Sequence, residues 1–140
     1  MVVKKIFFNF FYFCLDLANF FIWLHIKILP NKFLFIILSK KQKSLINLKL
    51  NINYKLKIIK KLKYYFIKKE IHHKYTSCLS KSITGKICLS IFGIQSQIKI
   101  AMIKNKKGVK IPHAWLYSKE LNIIITEKGN TSKGTLLFTF

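Results

Sequence analysis

Residues 97–140 read QIKIAMIKNKKGVKIPHAWLYSKELNIIITEKGNTSKGTLLFTF, and this stretch decides the fold class. Short apolar runs alternate with clusters of Gly, Ser, Asn and Lys, the pattern of a small antiparallel β unit. Runs of strand length fall at 97–103, 121–126 and 135–140, with Gly108, Gly129 and Gly134 marking turns between them. Moving toward the N-terminus, 86–92 and 66–75 have the same character, and Gly93 follows the former as a further turn. Everything beyond residue 67 is therefore expected to be mostly strand.

The N-terminal half follows other periods. At 48–58 the apolar residues take every even position while Asn47, Lys49, Asn51, Asn53, Lys55 and Lys57 take the odd ones, which predicts a half-buried strand. The period then lengthens. Ile58, Ile59, Leu62 and Phe66 keep helical spacing while Lys60, Lys61 and Lys63 take the other side, which predicts a basic amphipathic helix ending near Phe66. Residues 33–38 form another apolar run of strand length, followed by a polar patch at 39–44.

The most apolar segment is 6–29, with Lys4 and Lys5 before it and Lys27 near its end, so a membrane anchor is one reading. Asn9, Asp16, Asn19 and His25 interrupt it. A carboxylate near a bilayer centre costs about 2.5 to 3.5 kcal/mol even on the lenient insertion scale. Read as a helix of a folded domain, the segment offers Leu15, Ala18, Phe21, Ile22 and His25 as a packing face, and Pro30 with Asn31 ends it. No small-residue cleavage site follows, which speaks against a secretory signal.

The 140 residues carry 26 basic side chains against four acidic ones, Asp16, Glu70, Glu120 and Glu127, for a formal charge of +22. Such a chain calls for a polyanionic partner, either nucleic acid or an anionic membrane surface. At 51% hydrophobic it is too apolar for a disordered basic tail and can build a core. Every basic residue is Lys, although Arg is the better choice for bidentate phosphate or guanine recognition. The joint excess of Lys, Ile, Phe, Asn and Tyr points to A+T-rich codons, as in an organelle or a reduced endosymbiont. Cys14, Cys78 and Cys88 give no disulfide framework and suit a reducing compartment.

Catalytic and metal chemistry find little to build on. His72, His73, Cys78, Cys88 and His113 lack the close pair spacing of a tetrahedral zinc site, so no metal is expected. Thr84, Gly85 and Lys86 have the end of a phosphate-binding loop without its first Gly, and Ile87 stands where a magnesium-binding hydroxyl belongs. Four carboxylates and no Ser, His and Asp arrangement leave no acid and base pair, so neither an enzyme nor a cofactor is expected.

The C-terminal segment is more specific. Leu-Asn-Ile-Ile-Ile-Thr-Glu-Lys-Gly at 121–129, then Lys-Gly-Thr-Leu-Leu-Phe-Thr-Phe at 133–140, resembles the end of the eighth protein of the small ribosomal subunit, the S-eight family. There an apolar strand runs into a Thr-Ser-Lys-Gly loop and the chain closes on Gly-Gly-Glu and a final strand. Three weaker similarities stand in the same order. Residues 98–108 look like the family's Ile-Ser-Lys-Pro-Gly approach, with one residue inserted and the Pro lost. Residues 62–67 resemble its Leu-Lys-x-x-Gly-Phe-Ile helix end without the Gly, and 16–27 its first helix. Two departures stand out: Glu127 replaces a Ser that helps contact RNA in the family, and the short helix before the last strand is almost absent. The family's Pro-x-Ser-Lys segment corresponds either to Leu38, Ser39 and Lys40 or to residues near Asn53.

The resemblance implies an α+β fold, with a small α/β N-terminal subdomain at 16–75 packed on a β-rich, RNA-binding C-terminal subdomain at 76–140. Residues 1–15 would be an extension of this lineage. It implies a structural component of the small ribosomal subunit that binds and folds the central domain of the ribosomal RNA, in a divergent mitochondrial form. Neighbouring ribosomal proteins are the other expected partners, and no DNA is expected. Expected RNA contacts are Thr126, Glu127, Lys128 and Gly129 in the loop, Lys107 and Lys110 before it, Lys60, Lys61 and Lys63 on the helix, and Ser39 and Lys40. The alternative is a small Lys-rich organellar membrane protein anchored by residues 6–29.

Overall fold

The computed structural model describes residues 2–28, 50–69, 77–104, 107–126 and 135–139. Three helices, α1 (Val2–Ile28), α2 (Ile52–Lys69) and α3 (Cys78–Ile91), precede four strands, β1 (Gln97–Lys104), β2 (Lys110–Ser118), β3 (Ile123–Ile124) and β4 (Thr135–Thr139). The strands form one antiparallel sheet in the order β3-β2-β1-β4. The chain is thus α+β, as the sequence predicts, with the described helices first and the sheet last.

Three predicted strands fall wholly or partly in helices instead. From Ile52 onward the period-two segment belongs to α2, and Asn51 explains why. Its Oδ1 accepts from Asn53 N–H at 3.2 Å and its carbonyl from Tyr54 and Lys55 N–H at 3.0 and 3.1 Å, the contacts of an N-cap. The helical register of Ile59, Leu62 and Phe66, all buried, extends back through half-buried Leu56, while Ile52 and Tyr54 are left exposed. Residues 66–69 of the strand expected at 66–75 continue α2. The strand expected at 86–92 is the second half of α3, which begins at a capping box: Ser80 N–H donates to Ser77 Oγ and Ser77 N–H to Ser80 Oγ, each at 3.0 Å. It ends in a Schellman motif, with Gly93 at φ 66° and the Gly93 and Ile94 N–H groups bonded to the carbonyls of Ser90 and Leu89.

Strand β2 escaped the sequence reading because Pro112 interrupts it. Pro112 pairs with Met102 of β1, and β3 reaches only Tyr117 and Ser118, so the missing N–H falls where β2 has no second neighbour among the described residues. The strand predicted at 121–126 shrinks to two residues in β3.

The core runs through both halves of the chain. Leu15 of α1, Ile59, Leu62, Tyr65 and Phe66 of α2, and Ile83, Cys88 and Leu89 of α3 meet Ile98, Ala114, Leu116 and Ile125 of the sheet. Helix α3 lies between the sheet and α1 and is buried from Ser80 to Lys86 without a break. A helix enclosed in this way needs small side chains, and Gly85 marks the tightest point: a Cβ there would stand 2.6 Å from Leu116 Cδ2 and 3.2 Å from Phe66 Cε2. The Thr-Gly-Lys run at 84–86 is therefore a packing seam. On α1, Leu15 and Ile22 pack as predicted, but Phe21 is 62% exposed. Asn19 and Phe11 take the inner side instead, so the helix passes through residue 15 with core contacts on both sides of it.

Candidate nucleic-acid interface

The buried side of α2 carries Ile59, Leu62, Tyr65 and Phe66. Two polar ties fix its rotation. The Tyr65 hydroxyl donates to the Asp16 carboxylate of α1, and Lys55 Nζ meets Glu120 Oε1 in the β2–β3 turn at 2.5 Å. Burial, and then the bond to Asp16, raise the Tyr65 phenol above its usual range, so it stays a proton donor at any physiological pH. Both described carboxylates of this cationic chain thus hold α2 to a neighbour.

With that side held inward, the opposite side of α2 presents Tyr54, Lys57, Lys61, Tyr64 and Lys68, all exposed. Their spacing is three, four, three and four residues, which lines them up as one stripe along the helix. The ammonium of Lys57 lies 5.4 Å from the Tyr54 ring centre and that of Lys68 5.3 Å from the Tyr64 ring. Aromatic faces alternating with cations are what single-stranded or looped RNA needs, since bases stack on rings while ammonium groups meet phosphates. Lys60, exposed, flanks the stripe, and Lys63 is half-buried beside it. The sequence reading picked out Lys60, Lys61 and Lys63 but missed both tyrosines. It read Tyr54 as the apolar side of a strand, and the signal that corrects this is Asn51 as a helix cap.

A second cationic feature is the end of the β1–β2 hairpin. Lys104 and Lys110 are directly paired across the strands, and Lys107 and Lys110 are exposed. Like charges facing each other across a ladder are unfavourable by themselves and become favourable beside an anion. Lys99 of β1 lies over the Tyr117 ring of β2 at 4.1 Å, a further cation and ring pair on the sheet.

Thr126 has a structural role of its own. It is only 3% exposed, and its Oγ1 accepts the Leu116 N–H at 3.1 Å, one step beyond the Ile125 N–H bond to the Leu116 carbonyl. The side chain takes the place of a strand carbonyl and extends the pairing of β3 with β2. As an acceptor its hydroxyl oxygen serves the fold. Glu127, Lys128, Gly129, Ser39 and Lys40 lie outside the described residues.

Burial lowers the Lys86 ammonium from its usual range and pushes the Cys88 thiol up to about 12, so neither is an exposed reactive group. Among the described residues no cluster of His, Cys, Asp or Glu has the makeup of a metal site. Comparison of the chain with family models, with curated proteins and with solved structures finds no match.

Proposed function

We propose that this chain is a structural component of a small ribosomal subunit, in a divergent mitochondrial form, which binds ribosomal RNA and performs no covalent chemistry. The observation that carries the reading is the α2 stripe of Tyr54, Lys57, Lys61, Tyr64 and Lys68 on a body of charge +22. Its tyrosines would stack on unpaired bases of an irregular internal loop, and its ammonium groups would replace the counterions of the adjoining phosphates. Lys104, Lys107 and Lys110 at the hairpin end would bind phosphate without reading sequence. The resemblance of 121–140 to the S-eight family supports the choice of ribosomal RNA among structured RNAs and of the central domain as the target. The test is co-purification: the chain should remain stoichiometric with small subunits through a moderate salt wash, and its absence from them would sink the ribosomal reading.

The membrane protein anchored by residues 6–29 draws on one observation, that 18 residues of α1, Phe11–Ile28, are long and apolar enough to cross a bilayer. Release by salt alone would favour the RNA binder, and a requirement for detergent would favour the anchor.

A further inference from the structure

We propose that the outward side of α1 docks the protein on an anionic lipid surface, with the helix lying in the plane of the headgroups. This goes beyond RNA binding and uses a different helix from the Tyr and Lys stripe of α2. The two sides of α1 differ in what they leave to solvent. Leu15 and Asn19 are buried, and Phe11, Tyr12, Ile22 and Ile26 pack on the core. Phe13, Leu17, Phe20, Phe21 and Ile28 are exposed, and their spacing places them in one strip. Within Phe11–Ile28 only Leu15 and Asn19 are buried, and the exposed apolar side chains of the strip make no core contact. A contiguous apolar strip of that kind marks an interaction surface.

Two of the polar residues that interrupt the segment, Asp16 and Asn19, are drawn inward by the fold. Asp16 accepts from the Tyr65 hydroxyl, and Asn19 Oδ1 accepts from Thr84 Oγ1 at 3.4 Å. Along 11–28 the sole other charged residue is Lys27, at the end of the strip. The same contacts bind the middle of the helix to α2 and α3, which is incompatible with lipid all around it and so with crossing a bilayer. An in-plane helix meets both demands: one side on protein, the other in the acyl boundary. Lys27 Nζ lies 4.5 Å from the Trp23 ring centre, a cation and indole pair suited to the headgroup level. Charge selects the occupant. At +22 a second copy is repelled, whereas an anionic bilayer complements the net charge of the chain and Lys27 at the end of the strip.

The test uses the full chain with vesicles of phosphatidylcholine alone and of phosphatidylcholine mixed with phosphatidylserine. The chain should sediment with the anionic vesicles at low salt and hardly with the neutral ones. Brominated lipid should quench tryptophan emission, since Trp23 would enter the interface while Trp115 is buried in the protein. Phe13→Ser combined with Phe21→Ser should weaken vesicle binding by about tenfold or more while leaving RNA affinity unchanged. Should that pair of changes impair folding, quenching of the unsubstituted chain still decides. Alkaline carbonate should release the bound protein. Absence of anionic-vesicle binding, undiminished binding by the folded double variant, or resistance to carbonate would each overturn the proposal. So would loss of a protein neighbour by the double variant with no vesicle binding by the parent chain, which would make the strip a protein contact. RNA affinity is read separately on the unsubstituted chain, so failure of the RNA reading and failure of lipid docking give different results.

Discussion

Gly85 and Thr126 each carry a packing role that residue type by itself does not reveal. At Gly85 the helix interior would gain about 1 kcal/mol from Ala through backbone entropy. Against this, the new methyl meets Leu116 and Phe66, both essentially fully buried, at 2.6 and 3.2 Å. Leu116 Cδ2 is the end of a flexible side chain, but it is hemmed in between sheet and helices, and overpacking of such a site costs about 1 to 3 kcal/mol. Gly85→Ala is therefore expected to lower stability to urea by about 1 kcal/mol net, and Gly85→Val by more. Thr126→Val keeps the shape but leaves the Leu116 N–H without its acceptor. It should cost about 1 to 3 kcal/mol of stability, with Thr126→Ser restoring most of it. Affinities of the folded variant for a cognate ribosomal helix and for an unrelated duplex should change equally or not at all. A loss confined to the cognate helix would return Thr126 to the RNA interface.

Helix α2 is the element on which the functional reading turns. Its two kinds of exposed residue should respond differently to substitution. Tyr64→Ala removes a stacking surface and should weaken binding to a looped RNA by about 1 to 3 kcal/mol, with little effect on a continuous duplex. Lys61→Gln removes a phosphate partner, so it should weaken both RNAs alike and reduce the steepness of the salt dependence by about one unit. Filter binding across a salt series separates the two outcomes. Equal behaviour of Tyr64→Ala on loop and duplex would mean that the ring serves only to cover the stem of Lys68.

For the whole molecule, the charge of +22 sets the expectation. If about six phosphates are met at once, log affinity for duplex RNA should fall against log salt with a slope near about −5. A slope near zero would remove the electrostatic basis of the proposal. The scarcity of carboxylates is also a matter of the whole fold. Asp16 joins α1 to α2, and Glu120 joins α2 to the β2–β3 turn. In a chain this cationic, these two carboxylates are well placed to relieve repulsion where two elements meet.

What the sequence determined by itself was the fold class. The early helices, the C-terminal sheet with its β1 and β4 segments and the ability to form a core all follow from hydrophobic periodicity, turn residues and composition, which act locally or in sum. Tertiary structure alone decided the rest. An alternation at 48–58 satisfies two periods over so few residues, and the Asn51 cap together with burial of Ile59 and Phe66 chooses the helix. The strand-like run at 86–92 became helix because the Ser77 cap and the enclosure of α3 between α1 and the sheet outweigh the β preference of Ile87 and Ile91. Which tyrosines face solvent, which carboxylates turn inward and where a hydroxyl replaces a carbonyl depend on contacts between residues about 10 to 65 positions apart, and no local pattern encodes such contacts.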